Sequence, residues 1–232
     1  MQPLTRRTWL RLAGAGAISS LASPASKPVN VVCFMTDDHG AWATGAYGCQ
    51  GIHTPNIDRL AVGGAKFTNA FAATPVCSPS RLTWFSGMLP SHHGAQDWLR
   101  PEDSFGERSA PYLKAGMSFT EKLAAGGYTL GLSGKWHMGS DDKAHVGFTY
   151  WKTIPGGGGP YRNVRFLKNG QLEPEVDFKT DGVGDGALEF LDLYGKKGPF
   201  FLYVPFYAPH TPLDYQPDTY RAPYQDSSFD CF

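Results

Sequence analysis

Apolar runs that end in polar residues recur along this chain, and they predict buried strands. Residues 29–36 form a nearly continuous apolar run that ends in Asp37 and Asp38. Such a run is typical of a strand buried on both faces of a sheet. Residues 128–133 and 199–204 form two similar runs. The pattern therefore predicts three strands, each followed by polar residues.

Helical segments lie between these strands. A Thr-Pro pair predicts the start of a helix over residues 56–62, which two glycines close. Ser118 and Glu121 have the spacing of a capping box, and the helix that they start ends at residues 126–127, a second glycine pair. A further helix is predicted over about residues 185–194. This alternation predicts an α/β fold, in which helices flank a mostly parallel sheet.

The pentapeptide Cys77-Ser78-Pro79-Ser80-Arg81 lies at the predicted start of another helix. Ser78 is a suitable N-cap and Pro79 suits the first helical position. Cys77 would then lie where exposed amides and the helix dipole favour a thiolate, a phosphate or a sulfate. Arg81 lies four residues on, on the same helical face, and can reach the same anion. A structural cysteine before an ordinary helix has the same local pattern.

The first apolar run ends in adjacent carboxylates, Asp37 and Asp38. Adjacent carboxylates repel each other, so a hard cation such as Ca²⁺ or Mg²⁺ best explains a pair that is held together. The same pair also occurs in solvated turns. Ligands of open α/β sheets bind at the carboxyl ends of the strands, so this position favours the metal interpretation.

Polar residues also follow the other two runs. Lys135 and His137 lie two residues apart, so in an extended conformation their side chains face the same way. They offer a fixed cation and a group that exchanges protons near neutral pH. A surface lysine beside a packed histidine is the alternative. His210 lies between Pro209 and Pro212, which restrict the backbone around it.

Composition and charge narrow the classes of function. The 232 residues carry 21 basic and 21 acidic side chains, so the formal net charge is zero. This balance, without a basic stripe, argues against binding to nucleic acid or to an anionic membrane. The four cysteines are irregularly spaced and predict neither a disulfide framework nor a zinc site.

Residues 1–26 have the layout of an export signal. Arg6 and Arg7 precede Trp9, and a stretch of small apolar residues follows at 12–22. This stretch is too short to span a membrane. The segment resembles a twin-arginine signal, with tryptophan where phenylalanine is commoner, and the choice of export route stays open. The sequence thus predicts an exported protein, periplasmic or secreted.

Six motifs occur in the order found in type I, formylglycine-dependent sulfatases, and the chain resembles the arylsulfatase-like members of that family. The motifs are Asp37-Asp38, residues 54–61 (TPNIDRLA), residues 67–70 (FTNA), Cys77-Ser78-Pro79-Ser80-Arg81, Gly134-Lys135-Trp136-His137 and Ala208-Pro209-His210. The resemblance implies an alkaline-phosphatase-like α/β fold, with residues 27–232 as the N-terminal part of the catalytic domain. It also implies a hydrolase of sulfate esters, carbohydrate or aryl.

By this resemblance, Asp37, Asp38 and Cys77 hold Ca²⁺, with Mg²⁺ as the alternative. Cys77 is converted to formylglycine, so a formylglycine-generating enzyme is an expected partner. The hydrated aldehyde carries two hydroxyls, one to attack sulfur and one to let the sulfate leave.

The resemblance also implies roles for the other polar residues. His137 takes a proton from the second hydroxyl, and His210 contacts the sulfate and helps to protonate the departing oxygen. Arg81 and Lys135 hold the formylglycine and the sulfate oxygens, and stabilise charge in the transition state.

The chain departs from the family in its length. Sulfatases carry an Asp-Asn pair and a lysine well downstream of the histidine that corresponds to His210. This sequence has no Asp-Asn dipeptide and stops at Phe232. We therefore expect a truncated chain with an incomplete metal site and exposed sheet edges.

Two alternatives stay open for function: a phosphonate or phosphate ester hydrolase of the same superfamily, and a catalytically inactive fragment. A glycine run at 156–159 is expected to form a flexible loop beside the pocket. Tyr150, Trp151 and Tyr161 near it could stack on a sugar or aryl ring, or belong to the core.

Overall fold

Eight strands form two sheets in the computed structural model, which describes residues 27–227. The strands are β1 (Val31–Met35), β2 (Thr129–Gly134), β3 (Phe148–Thr153), β4 (Arg162–Val164), β5 (Leu167–Lys168), β6 (Gln171–Leu172), β7 (Val176–Phe178) and β8 (Phe200–Pro205). The larger sheet has the order β1-β8-β2-β3-β5-β6. Its first four strands are parallel, and β5 pairs antiparallel with both β3 and β6. Strands β4 and β7 pair separately as an antiparallel ribbon.

Helices cover both faces of the larger sheet. They are α1 (Pro55–Gly63), α2 (Cys77–Ser86), α3 (Pro90–His93), α4 (Pro101–Ser104), α5 (Phe119–Ala125), α6 (Lys179–Tyr194) and α7 (Asp218–Arg221). Short 3₁₀ turns lie at Ala41–Ala43, Gly45–Tyr47, Pro155–Gly157 and Ala222–Tyr224. The predicted α/β fold, with a mostly parallel sheet and flanking helices, is confirmed. None of the helices within residues 27–227 is long and apolar enough to cross a membrane.

Strand β8 divides the core into two halves because its side chains alternate between the two faces of the sheet. Leu202 and Val204 pack with residues of α6 such as Phe190. Phe201 and Tyr203 pack on the opposite side, against residues contributed mainly by α2, β2 and the segment before α5. The core therefore fixes α2, and with it the residues at its N-terminus, against the sheet.

The prediction that the first strand is buried on both faces is wrong. Among the described strands β1 pairs only with β8, so it forms an edge of the sheet. Val32 and Phe34 are exposed, the latter at 60%. An apolar run shows that a strand favours burial but does not show which elements lie beside it. The expected exposed sheet edge is present here.

Helix α6 begins six residues earlier than the sequence predicts. Three glycines, at positions 182, 184 and 186, lower the helix propensity of its first turns. Packing explains two of them. A Cβ on Gly182 would lie 2.5 Å from Phe166, and one on Gly186 would lie 2.3 Å from the Ser133 hydroxyl. Close packing against Phe166 and Ser133 therefore requires glycine at these two positions of the helix.

Two predicted caps differ from the structure. Helix α2 begins at Cys77 after Val76, and the Ser78 hydroxyl accepts a hydrogen bond from Leu99 instead of capping. Ser118 does cap α5, but Glu121 accepts from Gly116 and does not close a capping box.

The cysteines also differ in state. Cys33 and Cys77 carry free thiols, whereas Cys49 is disulfide-bonded, which the irregular spacing did not predict. The predicted export signal lies outside the described residues.

Candidate active site

Loops at the carboxyl ends of β1, β2 and β8 converge with the N-terminus of α2. The site contains a cavity of about 310 Å³. Its polar lining includes Asp37, Asp38, His39, Cys77, Ser80 and Arg81. The predicted residues from the first strand and from the pentapeptide therefore share one cavity, as expected for the carboxyl edge of a parallel sheet.

Asp37 is the centre of the polar contacts. Lys135 Nζ donates a hydrogen bond to Asp37 Oδ2 at 2.5 Å, and Arg81 Nη2 lies 3.6 Å from Oδ1. Burial opposes ionisation of Asp37, but the charges of Arg81 and then Lys135 outweigh it and lower its pKa. Asp37 is therefore a carboxylate that two buried cations hold ionised.

Cys77 is the first residue of α2, and its thiol lies 3.6 Å from Asp37 Oδ1. Burial raises the pKa of this thiol, although Lys135 partly offsets the effect. The thiol is therefore protonated at neutral pH. Of the anions expected at this helix N-terminus, the thiolate is therefore disfavoured, because loss of solvation outweighs the cations. A bound phosphate or sulfate stays a prediction.

Arg81 reaches the site from the next turn of α2. Its Nη1 donates to the Lys135 carbonyl at 2.7 Å and to the Tyr203 hydroxyl at 3.2 Å. These contacts fix the guanidinium, and its Nη2 points towards Asp37. The predicted cation near Cys77 is thus present and buried.

Lys135 and His137 are both buried, at 1% and 4% exposure. The extended geometry predicted for them is wrong, because β2 ends at Gly134 and His137 has a left-handed backbone with φ 58°. Asp141 Oδ1 accepts the His137 backbone N–H at 3.3 Å. An irregular loop, anchored by a buried carboxylate, therefore places both side chains.

The His137 ring has a defined tautomer. Its Nε2 lies 2.8 Å from the Leu99 carbonyl, which can only accept, so Nε2 carries the proton. Within residues 27–227, Nδ1 is buried without a hydrogen-bond partner. Burial, and secondarily the charge of Lys135, lowers the pKa of His137 to about 3. The imidazole is therefore neutral, with a free lone pair on Nδ1.

His210 approaches from the loop after β8. Its Nδ1 donates to the Thr211 carbonyl at 2.6 Å, and its Nε2 lies 3.7 Å from Asp38 Oδ2. The ring stacks on Tyr207 with the centroids 4.7 Å apart. Asp38 has a left-handed backbone, and its carboxylate is exposed.

The donor set partly fits a hard cation. Asp37, Cys77 and His210 offer ligand atoms within 4.8 Å of one another, and Asp38 adds a second carboxylate beside His210. Carboxylate oxygens suit Ca²⁺ or Mg²⁺, whereas a thiol suits softer metals. Two carboxylates are fewer than the six to eight oxygens that Ca²⁺ takes. The described residues therefore offer two carboxylates for a hard cation, and the expectation of an incomplete metal site stays a prediction.

Sequence reasoning missed three residues that contact the site: Asp141, Lys179 and Tyr207. Lys179 begins α6, where the helix dipole disfavours a cation, but the sequence predicts the start of this helix six residues later and so gave no signal. Its pKa is lowered to about 7 by burial and then by Lys135. Asp141 and Tyr207 carry no pattern that separates them from ordinary loop residues.

The glycine run at 156–159 borders the site, as expected. A Cβ on Gly157 would lie 2.2 Å from His137 Cδ2, so this loop packs directly on the imidazole. Tyr150, Trp151 and Tyr161 are buried in the core, which leaves none of their ring faces free for a substrate.

Proteins similar in sequence to this chain include sulfatases. The family model described as Sulfatase matches residues 29–231. An N-acetylglucosamine-6-O-sulfatase of Bacteroides thetaiotaomicron is 31% identical over 199 residues, which are 84% of this chain and 33% of that protein. The steryl-sulfatase of Homo sapiens is 39% identical over 157 residues, 63% of this chain and 26% of that protein.

Solved structures show the same fold. The structure of Ps i-CgsB in complex with k-i-k-neocarrahexaose matches with a TM-score of 0.75 at 31% identity, covering 88% of this chain and 49% of that one. The chain therefore spans half or less of the proteins that it matches here, as expected for part of a sulfatase. The family model covers nearly every residue from 29 onwards, and this chain belongs to the sulfatase family.

Proposed function

We propose that this chain carries the catalytic residues of a sulfuric ester hydrolase. One observation carries the proposal: Cys77, at a helix N-terminus, lies beside a carboxylate that two buried cations hold ionised. Arg81 and Lys135 offer positive charge where an anionic sulfate would bind. The site thus combines a position for a nucleophile with groups that stabilise negative charge.

Cys77 is the residue that we propose is oxidised to formylglycine by a formylglycine-generating enzyme. As a protonated thiol it is a poor nucleophile, so the raised pKa of Cys77 supports modification over thiolate chemistry. Formylglycine would supply a hydrated aldehyde: one hydroxyl would attack sulfur and expel the alcohol, and deprotonation of the other would release sulfate as the aldehyde re-forms.

Asp37 and Asp38 would hold Ca²⁺, or Mg²⁺, beside residue 77. A bound cation of this kind polarises an attacking hydroxyl and neutralises sulfate charge. The partial oxygen shell of the described residues is consistent with further ligands from solvent or from other parts of a complete sulfatase.

His137 is suited to accept a proton inside the site. Its Nε2 proton is committed to the Leu99 carbonyl, which leaves the Nδ1 lone pair as the acceptor. The imidazole is neutral, so Nδ1 is free to accept a proton, and the lowered pKa makes it a weak base that would return the proton readily.

His210 is suited to contact the oxygen of the alcohol that leaves the sulfate ester. It is only partly buried, and its Nε2 lies 3.7 Å from the Asp38 carboxylate while Nδ1 is bound to the Thr211 carbonyl. Nε2 is therefore the ring nitrogen that we propose contacts the sulfate and the departing oxygen.

Sulfated carbohydrates are the substrate class that we propose. Relatives named N-acetylglucosamine-6-O-sulfatase and N-acetylgalactosamine-6-sulfatase support it, as does a solved relative in complex with D-glucosamine-2-N,6-O-disulfate. The basic and apolar pattern of residues 1–26 supports export, so the substrate would be encountered outside the cytoplasm.

The test combines mass spectrometry with activity. We coexpress the chain with a formylglycine-generating enzyme, examine the tryptic peptide that contains Cys77, and assay an aryl sulfate and an aryl phosphonate with Ca²⁺. We expect a mass loss of about eighteen units at Cys77, as thiol is exchanged for aldehyde oxygen. We also expect turnover of the sulfate that Cys77→Ala abolishes.

Cys33→Ser is the matched control, because Cys33 is also a free, partly buried thiol. It should retain both the modification and the activity. Preference for the phosphonate would identify the alternative hydrolase. An unmodified Cys77, or a converted residue without turnover, would favour the inactive fragment.

A further inference from the structure

Lys179 is a buried lysine without a carboxylate partner among the described residues. It begins α6, and its side chain is 1% exposed. Its Nζ donates to the carbonyl oxygens of Gly158 at 2.9 Å and Gly159 at 2.8 Å. The same atom lies 3.9 Å from the ring centroid of Tyr207. The ring centroid of Tyr161 lies 5.6 Å from it. Two carbonyls and two aromatic rings therefore replace the water that this ammonium loses on burial.

The hydrogen bonds to Gly158 and Gly159 connect Lys179 to the surroundings of His137. Gly158 and Gly159 directly follow Gly157, whose backbone packs on the imidazole so closely that a Cβ would lie 2.3 Å from His137 Cγ. The loop at 156–159 thus forms one wall of the His137 pocket. Because Lys179 binds two carbonyls of this loop, it sets the position of that wall.

The contact with the Tyr207 ring connects Lys179 to His210. The ring of Tyr207 lies between Lys179 Nζ and the His210 imidazole, on which it stacks. The Tyr207 hydroxyl donates to the Thr211 carbonyl, the same oxygen that accepts from His210 Nδ1. A shift of Tyr207 would therefore move His210 and weaken the contact that fixes its tautomer.

We propose that Lys179 is a positioning residue for the sulfate-ester hydrolysis proposed above: one buried ammonium holds the loop behind His137 and the ring behind His210. This inference rests on the proposed function. Lys179 does not itself reach the reacting groups, because its donors are directed to Gly158, Gly159 and Tyr207. The amine also retains two N–H donors when neutral, so both carbonyl contacts persist in either protonation state.

The test compares Lys179→Met with Lys152→Met. Lys152 is also buried and lies over an aromatic ring, that of Phe166, but its ammonium pairs with the Glu173 carboxylate instead of the carbonyls of the glycine loop. For each converted protein we measure kcat and KM on an aryl sulfate. We also record ring-nitrogen NMR spectra of ¹⁵N-histidine samples, assigned by single substitutions, with His93 as an internal reference.

We expect Lys179→Met to lower kcat about 10- to 100-fold with KM changed less than about threefold, since positioning of acid and base groups affects the chemical step. The ring signals of His137 and His210 should move while those of His93 stay. Lys152→Met should leave kcat and both signals as in the parent protein. Lys179→Arg, which keeps a cation and several donors, should recover part of the loss.

A parent protein without turnover would remove the proposed function, but the NMR comparison would still test the positioning contacts. An active parent with unchanged kcat and unchanged histidine signals in Lys179→Met would overturn the inference. If Lys179→Met does not fold, Lys179→Gln, which keeps two N–H donors without the charge, is judged by the same criteria. An equal loss in Lys152→Met would also overturn the inference, because the effect would then be general destabilisation.

Discussion

Ionisation of Asp141 can be used to test how buried the surroundings of His137 are. Its carboxylate is fully buried and accepts the His137 backbone N–H through Oδ1, while Oδ2 has no hydrogen-bond partner within residues 27–227. Burial is the main reason that the pKa of Asp141 rises from 3.8 to about 7. Asp141→Asn keeps an accepting oxygen and removes the ionisation.

The effect of Asp141 on the free energy of unfolding follows from its pKa in the unfolded and in the folded protein. The interval from 3.8 to about 7 corresponds to about 4 kcal/mol. Because the folded pKa is raised, the contribution of Asp141 to stability is fully present below about pH 4 and is lost as the pH rises through about 7. Between pH 5 and pH 8 the native protein should lose about 2 to 3 kcal/mol through this group.

The assay is urea unfolding at pH 5 and pH 8, followed by tryptophan fluorescence. The stability of Asp141→Asn relative to the parent should improve by about 2 to 3 kcal/mol from pH 5 to pH 8. Any pH-independent cost of the amide cancels in this comparison. Asp192→Asn is the control, because it removes an exposed carboxylate on α6 and should change little between the two pH values.

A relative stability that changes by less than about 0.5 kcal/mol between the two pH values would refute the reasoning. It would mean that Asp141 ionises in the folded protein as it does in the unfolded chain. The surroundings of His137 would then be better solvated than the contacts indicate.

Two further predictions concern the glycine loop and the helix that carries Cys77. Gly157→Ala should lower kcat on an aryl sulfate at least about tenfold, because the new Cβ would meet the His137 ring. Gly116→Ala is the control: it is also at positive φ but its Cβ would enter open space, so it should leave kcat unchanged. Leu82→Ala should destabilise the protein by about 2 to 5 kcal/mol in urea unfolding, because Leu82 is a fully buried residue of α2 that packs in the core. Leu60→Ala, at an exposed position of α1, should cost little, and an equal loss would contradict the burial argument.

Local patterns were enough to predict where the chemistry lies along the chain. The apolar runs before Asp37, Lys135 and His210 correspond to β1, β2 and β8, which lie side by side in one parallel sheet. The carboxyl ends of parallel strands meet at the same edge, so the convergence of these residues could be inferred from the order of the elements. The motif at Cys77–Arg81 also lies on a helix that begins at Cys77.

The same patterns could not predict packing at a distance. The glycines of α6 have a low helix propensity, yet contacts with Phe166 and Ser133 require them. Strand β3 was not predicted, and the apolar run of β1 gave no sign that it would form a sheet edge. Such outcomes depend on neighbours that are remote in sequence.

By itself the sequence determined the α/β class, the family and the set of polar residues at the strand ends, because these depend on short-range periodicity and on motifs. Only the tertiary structure decided the chemical state of those residues. Cys77 is a protonated thiol, His137 is neutral with a free Nδ1, and Asp37 is ionised. Each state reflects solvent exclusion and charges brought together from distant parts of the chain, and neither quantity can be read from neighbouring residues.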